Sequence, residues 1–459
     1  MVFGSAQHLY SALGKDEEIT KMKLKALLLA AGLALFVNAS YAQDLSGEWQ
    51  GTLSTGQQKR LSIVKIARAR DGWSAKLYNP DQGNDVGQST PIDSITLQGQ
   101  DVKLTVAAIQ GRYEGKLSAD GTSIEGTWTQ GSQARPVVYS MVYQRATPET
   151  AWKDPSPHTS QFVIVDKDVQ LEVLDWGGAG KPLVFLAGQG NSAHVFDKFA
   201  PKFTSTHHVY GIPRRGFGAS SVPATGYSAD RLGDDVLAVL DFLKLTRPVL
   251  AGHSLGGEEL SSIGSRFPEK VAGLIYLDAG YEYAFYDKAR GAMFIDLAEL
   301  QRKLVQLGKQ PADPRPLIKD LLETLLPAFE RSLKQTQTEF EGMRPGEMAA
   351  LAADPLSPIE EAIQAGLQKY TVIPAQILAI FASPHKAPQL PPNAPARMVE
   401  RVTAMIAKEA AATETQVKAF ERGLPSARVI RLPGADHNIF ISNEAEVLRE
   451  MNSFLATLP

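Results

Sequence analysis

The chain has 459 residues, 44% of them hydrophobic, with a net charge of -3 and no cysteine. This length and composition predict two globular units with cores of their own, and the near-neutral charge argues against a nucleic-acid partner or an electrostatic membrane anchor. The lack of cysteine excludes disulfides, thiolate metal sites and a cysteine nucleophile.

The N-terminal segment has the layout of a secretory signal peptide. Lysines precede an apolar run from Ala26 to Val37, and Ser40-Tyr41-Ala42 follows, with small residues at the positions that signal peptidase reads. The apolar run is shorter than the about 20 residues that span a bilayer. We therefore expect residues 1–42 to be removed, with Met22 as the possible true start, and a periplasmic or secreted protein beginning near Gln43. Without a lipid-bearing cysteine, we expect no stable membrane anchor after cleavage.

Residues 43–145 have the pattern of an antiparallel β domain, because short alternating runs are separated by turn-forming pairs. Three segments with a central glycine, WQGTL, YEGKL and IEGTW, resemble one another. Glycine inside a strand marks a bend or a close backbone approach, which predicts a small barrel. The domain resembles lipocalin-like modules that precede hydrolase domains in some exported bacterial proteins. We expect Trp49 and Trp128 to fill its core, and the alternative is that they line a ligand cavity.

Residues 146–160 are a proline-containing linker, and the pattern then changes. In residues 161–459, strands and helices alternate, which predicts an α/β domain with a mostly parallel sheet and helices on both faces. Helical periodicity replaces the strands between about 281 and 371, which indicates an inserted lid. The predicted strands are Gln161–Val165, Gln170–Leu174, Leu183–Leu186, His208–Ile212, Pro248–Ala251, Gly273–Leu277, Gln376–Phe381 and Ala427–Leu432. The predicted helices are Ala229–Leu243, Glu258–Arg266, Met293–Leu307, Leu317–Leu333, Ile359–Lys369, Met398–Arg422 and Ala445–Leu458.

A G-x-S-x-G sequence at 252–256 follows one of these strands and precedes a helix. In such a turn the glycines make room for a strained backbone, and the serine hydroxyl projects from the edge of the sheet. This predicts Ser254 as a nucleophile, with the backbone N–H of Leu255 facing the developing oxyanion. The loop 187–190, which carries two glycines after the third strand, is expected to supply the second donor through the N–H of Gln189.

An activated serine needs a base and a carboxylate that holds the base. His437 follows the last predicted strand and is our candidate base, whereas His385, beside a proline, has the pattern of a solvated loop histidine. Asp278 ends the strand after the nucleophile strand and is our candidate acid, against the alternative that it caps the following turn. Asp436, next to the base, is expected to organise its own turn.

Together, these motifs resemble the α/β-hydrolases with a helical cap, over residues 161–459. RGFGAS at 215–220 and FPEKV at 267–271 support the resemblance. The chain departs from the family pattern at two positions. Ala187 stands where many relatives have histidine, and no carboxylate follows the penultimate strand until Glu400, which leaves Asp278 as the required substitute.

The resemblance and the triad predict an exported serine hydrolase that cleaves carboxylic esters of a small-molecule acyl substrate. Peptidase, lactonase, thioesterase or acyltransferase chemistry would use the same residues, and a catalytically silent binding protein is a further alternative. Tyr281, Tyr283 and Phe285 could line an acyl pocket or simply pack the lid onto the core. No metal or dinucleotide motif is present, so we expect no metal and no cofactor. The sequence does not indicate an oligomeric state.

Overall fold

The computed structural model of the chain describes residues 44–55, 58–69, 72–79, 89–130, 137–153, 156–341, 357–387 and 395–459. The predicted signal peptide and Met22 lie outside these residues. Among the described residues, no helix combines the length and the apolar character that crossing a membrane requires.

The N-terminal part is a nine-stranded antiparallel sheet that nearly closes into a barrel. Its strands lie in the order β4-β3-β2-β1-β9-β8-β7-β6-β5, and β3 and β4 at one edge contact β5 and β6 at the other. The strands are β1 (Gly47–Thr55), β2 (Gln58–Ala69), β3 (Gly72–Tyr78), β4 (Ser89–Ile92), β5 (Ser94–Gln98), β6 (Asp101–Val106), β7 (Gly111–Leu117), β8 (Ser123–Gln130) and β9 (Val137–Arg145).

Aliphatic side chains and four large aromatic ones fill the interior of this barrel. Trp49 and Trp128 are 1% and 5% exposed, so both pack in the core as expected. The indole N–H of Trp49 donates to the Leu45 carbonyl, which satisfies the polar end of a buried ring. Gly115 pairs with Gly126, and a Cβ at Gly115 would lie 2.9 Å from the nearest carbonyl oxygen. The repeated glycine therefore marks a close approach of two strands.

The second sheet has eight strands, in the order β10-β11-β13-β12-β14-β15-β16-β17. It is parallel from β13 to β17, whereas β11 is antiparallel to both β10 and β13. The strands are β10 (Thr159–Asp166), β11 (Val169–Gly177), β12 (Lys181–Leu186), β13 (His207–Gly211), β14 (Val249–His253), β15 (Gly273–Leu277), β16 (Ile377–Phe381) and β17 (Arg428–Arg431). Separate apolar clusters cover the two faces of the sheet, as expected for a sheet that helices flank on both sides.

Helices connect these strands. The helices are α1 (Ala229–Phe242), α2 (Gly256–Arg266), α3 (Met293–Gly308), α4 (Arg315–Asp320), α5 (Leu326–Glu341), α6 (Pro358–Ala365), α7 (Ala396–Gly423), α8 (Ile439–Ser442) and α9 (Glu444–Leu455). Helices α3 to α6 lie in the chain between β15 and β16, where the lid was expected.

One predicted helix is interrupted. The sequence predicts a single helix over 317–333, but a π-helical turn at Leu321–Leu325 separates α4 from α5. Pro327 follows at the second position of α5 and has no N–H to donate. A widened turn just before a proline accommodates the missing hydrogen bond.

Candidate active site

Ser254 occupies the tight turn between β14 and α2. Its φ of 48° lies in the left-handed region, which strains a residue that carries a side chain. A Cβ at Gly252 would lie 2.8 Å from the Gly256 backbone, and a Cβ at Gly256 would lie 2.8 Å from the Leu186 carbonyl oxygen. The two glycines of the motif are therefore required by space, and the turn has the geometry of a nucleophile elbow.

The base and the acid predicted from the sequence are in direct contact. His437 Nδ1 lies 2.6 Å from Asp278 Oδ2. Asp278 follows β15, and His437 lies in the loop after β17, so the two meet at the carboxyl edge of the parallel sheet. Ser254 reaches the same edge, because its N–H donates to the Leu277 carbonyl at 3.2 Å. The structure thus brings all three predicted triad residues to one place.

Asp278 is fully buried, and each of its two carboxylate oxygens accepts two hydrogen bonds. Oδ1 accepts from the Ala382 N–H at 2.9 Å and from the Tyr281 hydroxyl at 2.8 Å. Oδ2 accepts from His437 and, at 2.8 Å, from His385 Nε2. Burial would raise the pKa of Asp278, but the hydrogen bonds from the two histidines outweigh it and hold the pKa at about 2. Asp278 is therefore ionised at neutral pH and able to orient an imidazole.

His385 is not the solvated loop residue that its sequence context suggests. Its side chain is 19% exposed and lies between the Asp278 carboxylate and Glu409 of α7, at 2.8 and 3.4 Å. The hydrogen bond to Asp278 is the main cause of a raised pKa for His385. Asp278, His385 and His437 could also offer three metal ligands, but hydrogen bonds already engage both oxygens of Asp278.

His253, the residue before the nucleophile, holds the backbone of the base by a hydrogen bond. Its Nε2 donates to the His437 carbonyl at 3.1 Å, and the two rings lie 4.7 Å apart. Burial, followed by the nearby His437, lowers the pKa of His253 to about 4, so this imidazole is neutral. The sequence reasoning gave His253 no role, although it occupies the variable position of the G-x-S-x-G motif.

The glycine-bearing loop after β12 lies against the nucleophile. A Cβ at Gly188 would lie 2.8 Å from Ser254 Cβ, so only a glycine allows this approach without a shift. Arg214 fixes the loop, because its Nη2 donates to the Ala187 carbonyl at 2.8 Å. Two further hydrogen bonds of 3.0 and 2.9 Å join Arg214 to Glu259 of α2. This buried ion pair links the predicted oxyanion loop to the helix that follows Ser254.

The three aromatic residues proposed for the substrate pocket have different surroundings. Tyr281 donates to Asp278 and therefore supports the acid. Burial raises the pKa of Tyr283 well above its usual value, and a hydrogen bond with Ser254 opposes the rise, which places the Tyr283 hydroxyl beside the nucleophile. Phe285 is 5% exposed and packs edge-on against Phe420 at 5.7 Å, within the core. Of the three, Tyr283 is the one that contacts the nucleophile.

The elbow, the buried acid and the histidine at one edge of a parallel sheet define an α/β-hydrolase. The sequence profile of the alpha/beta hydrolase family matches residues 183–450, so the chain belongs to this family.

Among curated proteins, the chain is similar to 3-oxoadipate enol-lactonase 2 of Acinetobacter baylyi (33% identity over 108 residues, 23% of this chain and 40% of the other) and to a non-heme chloroperoxidase of Streptomyces lividans (37% identity, 23% and 39%). The chain spans at most half the length of the first curated relatives it matches. Among solved structures, an esterase from Rhodococcus sp. ECU1013 is similar, with 17% identity, coverage of 65% and 99%, and a TM-score of 0.42.

Proposed function

We propose that this protein is an exported serine hydrolase that cleaves carboxylic esters through an acyl-enzyme intermediate. The observation that carries this proposal is the 2.6 Å hydrogen bond from His437 to the buried Asp278, beside a serine held at a φ of 48°. A serine hydroxyl is almost fully protonated at neutral pH, and an adjacent imidazole held by a carboxylate is the arrangement that activates it.

In the first half of the reaction, His437 Nε2 accepts the proton of Ser254 as its Oγ attacks the ester carbonyl carbon. The C–O double bond becomes a single bond, and the negative charge on its oxygen is met by the N–H groups of Leu255 and Gln189. Asp278 stabilises the imidazolium through Nδ1–H. His437 then returns the proton to the departing alkoxide as the acyl C–O bond breaks, which leaves the acyl group on Ser254.

In the second half, His437 removes a proton from water as the water attacks the acyl-enzyme, and the carboxylic acid leaves as Ser254 regains its proton. The Ser254 hydroxyl interacts with Tyr283 in the structure, and among the hydrogen bonds of the described residues none joins it to His437. We expect the hydrogen bond between Ser254 and His437 to form when substrate binds. Catalytic hydrogen bonds are often longer without substrate than in the complex.

The name of one similar curated protein supports this choice of chemistry, since it is an enol-lactonase and a lactone is an internal ester. Peptidase, thioesterase and acyltransferase activities would use the same triad. The test is hydrolysis of a chain-length series of chromogenic acyl esters by the purified protein and by Ser254→Ala, with fluorophosphonate labelling of both. Loss of turnover and labelling together in the variant is expected. Absence of labelling in a folded wild type would refute the triad and favour a binding protein.

Export is the second part of the proposal, and it rests on the lysine-flanked apolar run and the Ser40-Tyr41-Ala42 exit in the sequence. The mature protein is expected in the periplasm or medium, without a stable membrane anchor, and acts on a small-molecule acyl substrate. Expression of the full chain followed by cell fractionation and N-terminal sequencing tests this: a mature N-terminus near Gln43 supports export. An intact N-terminus in the cytoplasmic fraction contradicts it.

A further inference from the structure

A second group of histidines and carboxylates lies away from the triad, where the linker enters the hydrolase domain. His158 comes just before β10, and His194 and Asp197 lie on the short 3₁₀ turn after β12. Their side chains are 3%, 2% and 9% exposed. One ligand atom from each residue lies within 4.8 Å of the others. Two imidazoles and a carboxylate are a donor set that zinc-class cations take, and a small closing movement would bring these atoms to metal-ligand distance.

A second carboxylate contacts one of these histidines. His194 Nε2 lies 3.2 Å from Glu172 Oε2, which also accepts the Ala219 N–H at 2.9 Å. Metal-ligating histidines commonly donate one ring nitrogen to a carboxylate, which fixes the tautomer and turns the other nitrogen toward the ion. By this pattern, a metal would take His194 Nδ1. The ring of His158 lies 4.8 Å from the His194 ring.

Asp197 carries an oxygen whose hydrogen-bonding capacity is unused. Its Oδ1 accepts from His158 Nδ1 at 2.7 Å and from Trp176 Nε1 at 2.9 Å. Its Oδ2 is buried and has no hydrogen-bond partner among the described residues. Such an atom is costly to bury unless a cation or a donor meets it.

The charges of the group point the same way. Two buried carboxylates, Asp197 and Glu172, lie beside two histidines. The charge of Lys76 attracts the Glu172 carboxylate. Protons on both imidazoles would balance the charge but would leave the spare oxygen of Asp197 unmet in this geometry. A cation bound between the histidines and Asp197 would engage that oxygen.

We propose that His158, His194 and Asp197 bind one divalent transition-metal cation, with Glu172 orienting His194. Ligand atoms around tetrahedral zinc are roughly 3.3 Å apart, given metal–ligand bonds of about 2.0 Å. Binding therefore exchanges the 2.7 Å hydrogen bond between His158 and Asp197 for two metal bonds. Because His158 belongs to the predicted linker, the metal ties the linker to the hydrolase domain. The site is structural and does not depend on the proposed ester hydrolysis.

The experiment uses the purified chain after chelation, titrated with Co²⁺ as a spectroscopic stand-in for Zn²⁺. We expect one equivalent of Co²⁺ to give ligand-field absorption. It should also quench the fluorescence of Trp176, because the Trp176 ring lies 5.7 Å from the His158 ring. Zn²⁺ should displace the signal and raise Tm. Asp197→Asn and His158→Ala should abolish the absorption, and Glu172→Gln should weaken affinity by about 10- to 100-fold.

The matched control is His385→Ala, which removes a ligand from the other three-residue group and should leave cobalt binding unchanged. Circular dichroism confirms that each variant is folded, and the wild-type spectrum gives a result that does not depend on the variants. No cobalt absorption at millimolar metal would overturn the proposal. So would absorption that survives Asp197→Asn but disappears in His385→Ala.

Discussion

Replacing Asp278 by asparagine is the sharpest test of the acid assignment. The carboxylate accepts four hydrogen bonds, two on each oxygen, and an amide has one acceptor and one donor end. The backbone N–H of Ala382 cannot change its role, so the amide oxygen stays at the Oδ1 position. The NH₂ group then faces His437 and His385. His437 is forced to accept on Nδ1 and to carry its proton on Nε2, where it can no longer act as base.

The size of the effect follows from the lost tautomer. Substituting the acid of a serine triad by asparagine lowers kcat by about 10⁴-fold. At about 1.36 kcal/mol per factor of ten, this is about 5 kcal/mol of transition-state stabilisation. KM should change little, because Asp278 is fully buried behind His437 and does not contact substrate.

The assay is the steady-state hydrolysis of the best ester of the series by Asp278→Asn and by Asp436→Asn. Asp436 adjoins the same histidine, but its side chain is 50% exposed and pairs with Lys386. Asp436→Asn should therefore keep the wild-type rate. The assignment of Asp278 is refuted if the two variants lose activity equally, or if Asp278→Asn stays within tenfold of wild type while folded.

Three further results are expected. His385→Gln keeps a donor toward the acid but removes a titrating imidazole whose pKa the hydrogen bond to Asp278 raises, so the kcat/KM profile should lose the part of its pH dependence that comes from His385. An unchanged profile would exclude this influence. Gly188→Ala places a Cβ 2.8 Å from Ser254 Cβ, so the oxyanion loop must shift away from the nucleophile. We expect kcat to fall about 10²- to 10³-fold, as for the loss of one oxyanion donor. Gly308→Ala has open space around it and should leave kcat unchanged. Arg214→Ala leaves Glu259 buried without its partner and should lower the unfolding free energy in urea by about 3 to 5 kcal/mol; a loss under 1 kcal/mol would contradict the inferred role of this pair.

Much of the site could be predicted because its signals are local in the sequence. The glycines around Ser254 reflect backbone sterics within a single turn, and the strand-end position of Asp278 follows from the period of the buried run before it. The chain order of nucleophile, acid and base then placed His437 at the same sheet edge.

The residues that the sequence did not reveal act through contacts between distant segments. His385 and Asp278 are 107 positions apart, and Arg214 and Glu259 are 45 positions apart. Neither pair has a spacing that predicts contact, because loops carry no periodicity. The sequence does contain a chemical signal for the Arg214–Glu259 pair. Arg214 comes directly before the glycine-rich run at 215–220, and Glu258 and Glu259 begin a helix in which both side chains are buried. Buried charged residues are rare unless they are paired.

The pairing of β14 with β15 positions two of the three triad residues, and the third lies on a loop. Gly252 pairs with Tyr276 and His253 with Leu277, so the nucleophile and the acid leave neighbouring strands whose register cannot slip without moving the core. His437 sits on a loop with its side chain 47% exposed. The position of this imidazole therefore depends on two hydrogen bonds, from its Nδ1 to Asp278 and from His253 to its carbonyl. Substitutions in residues 432–438 would move the base and leave the sheet register unchanged.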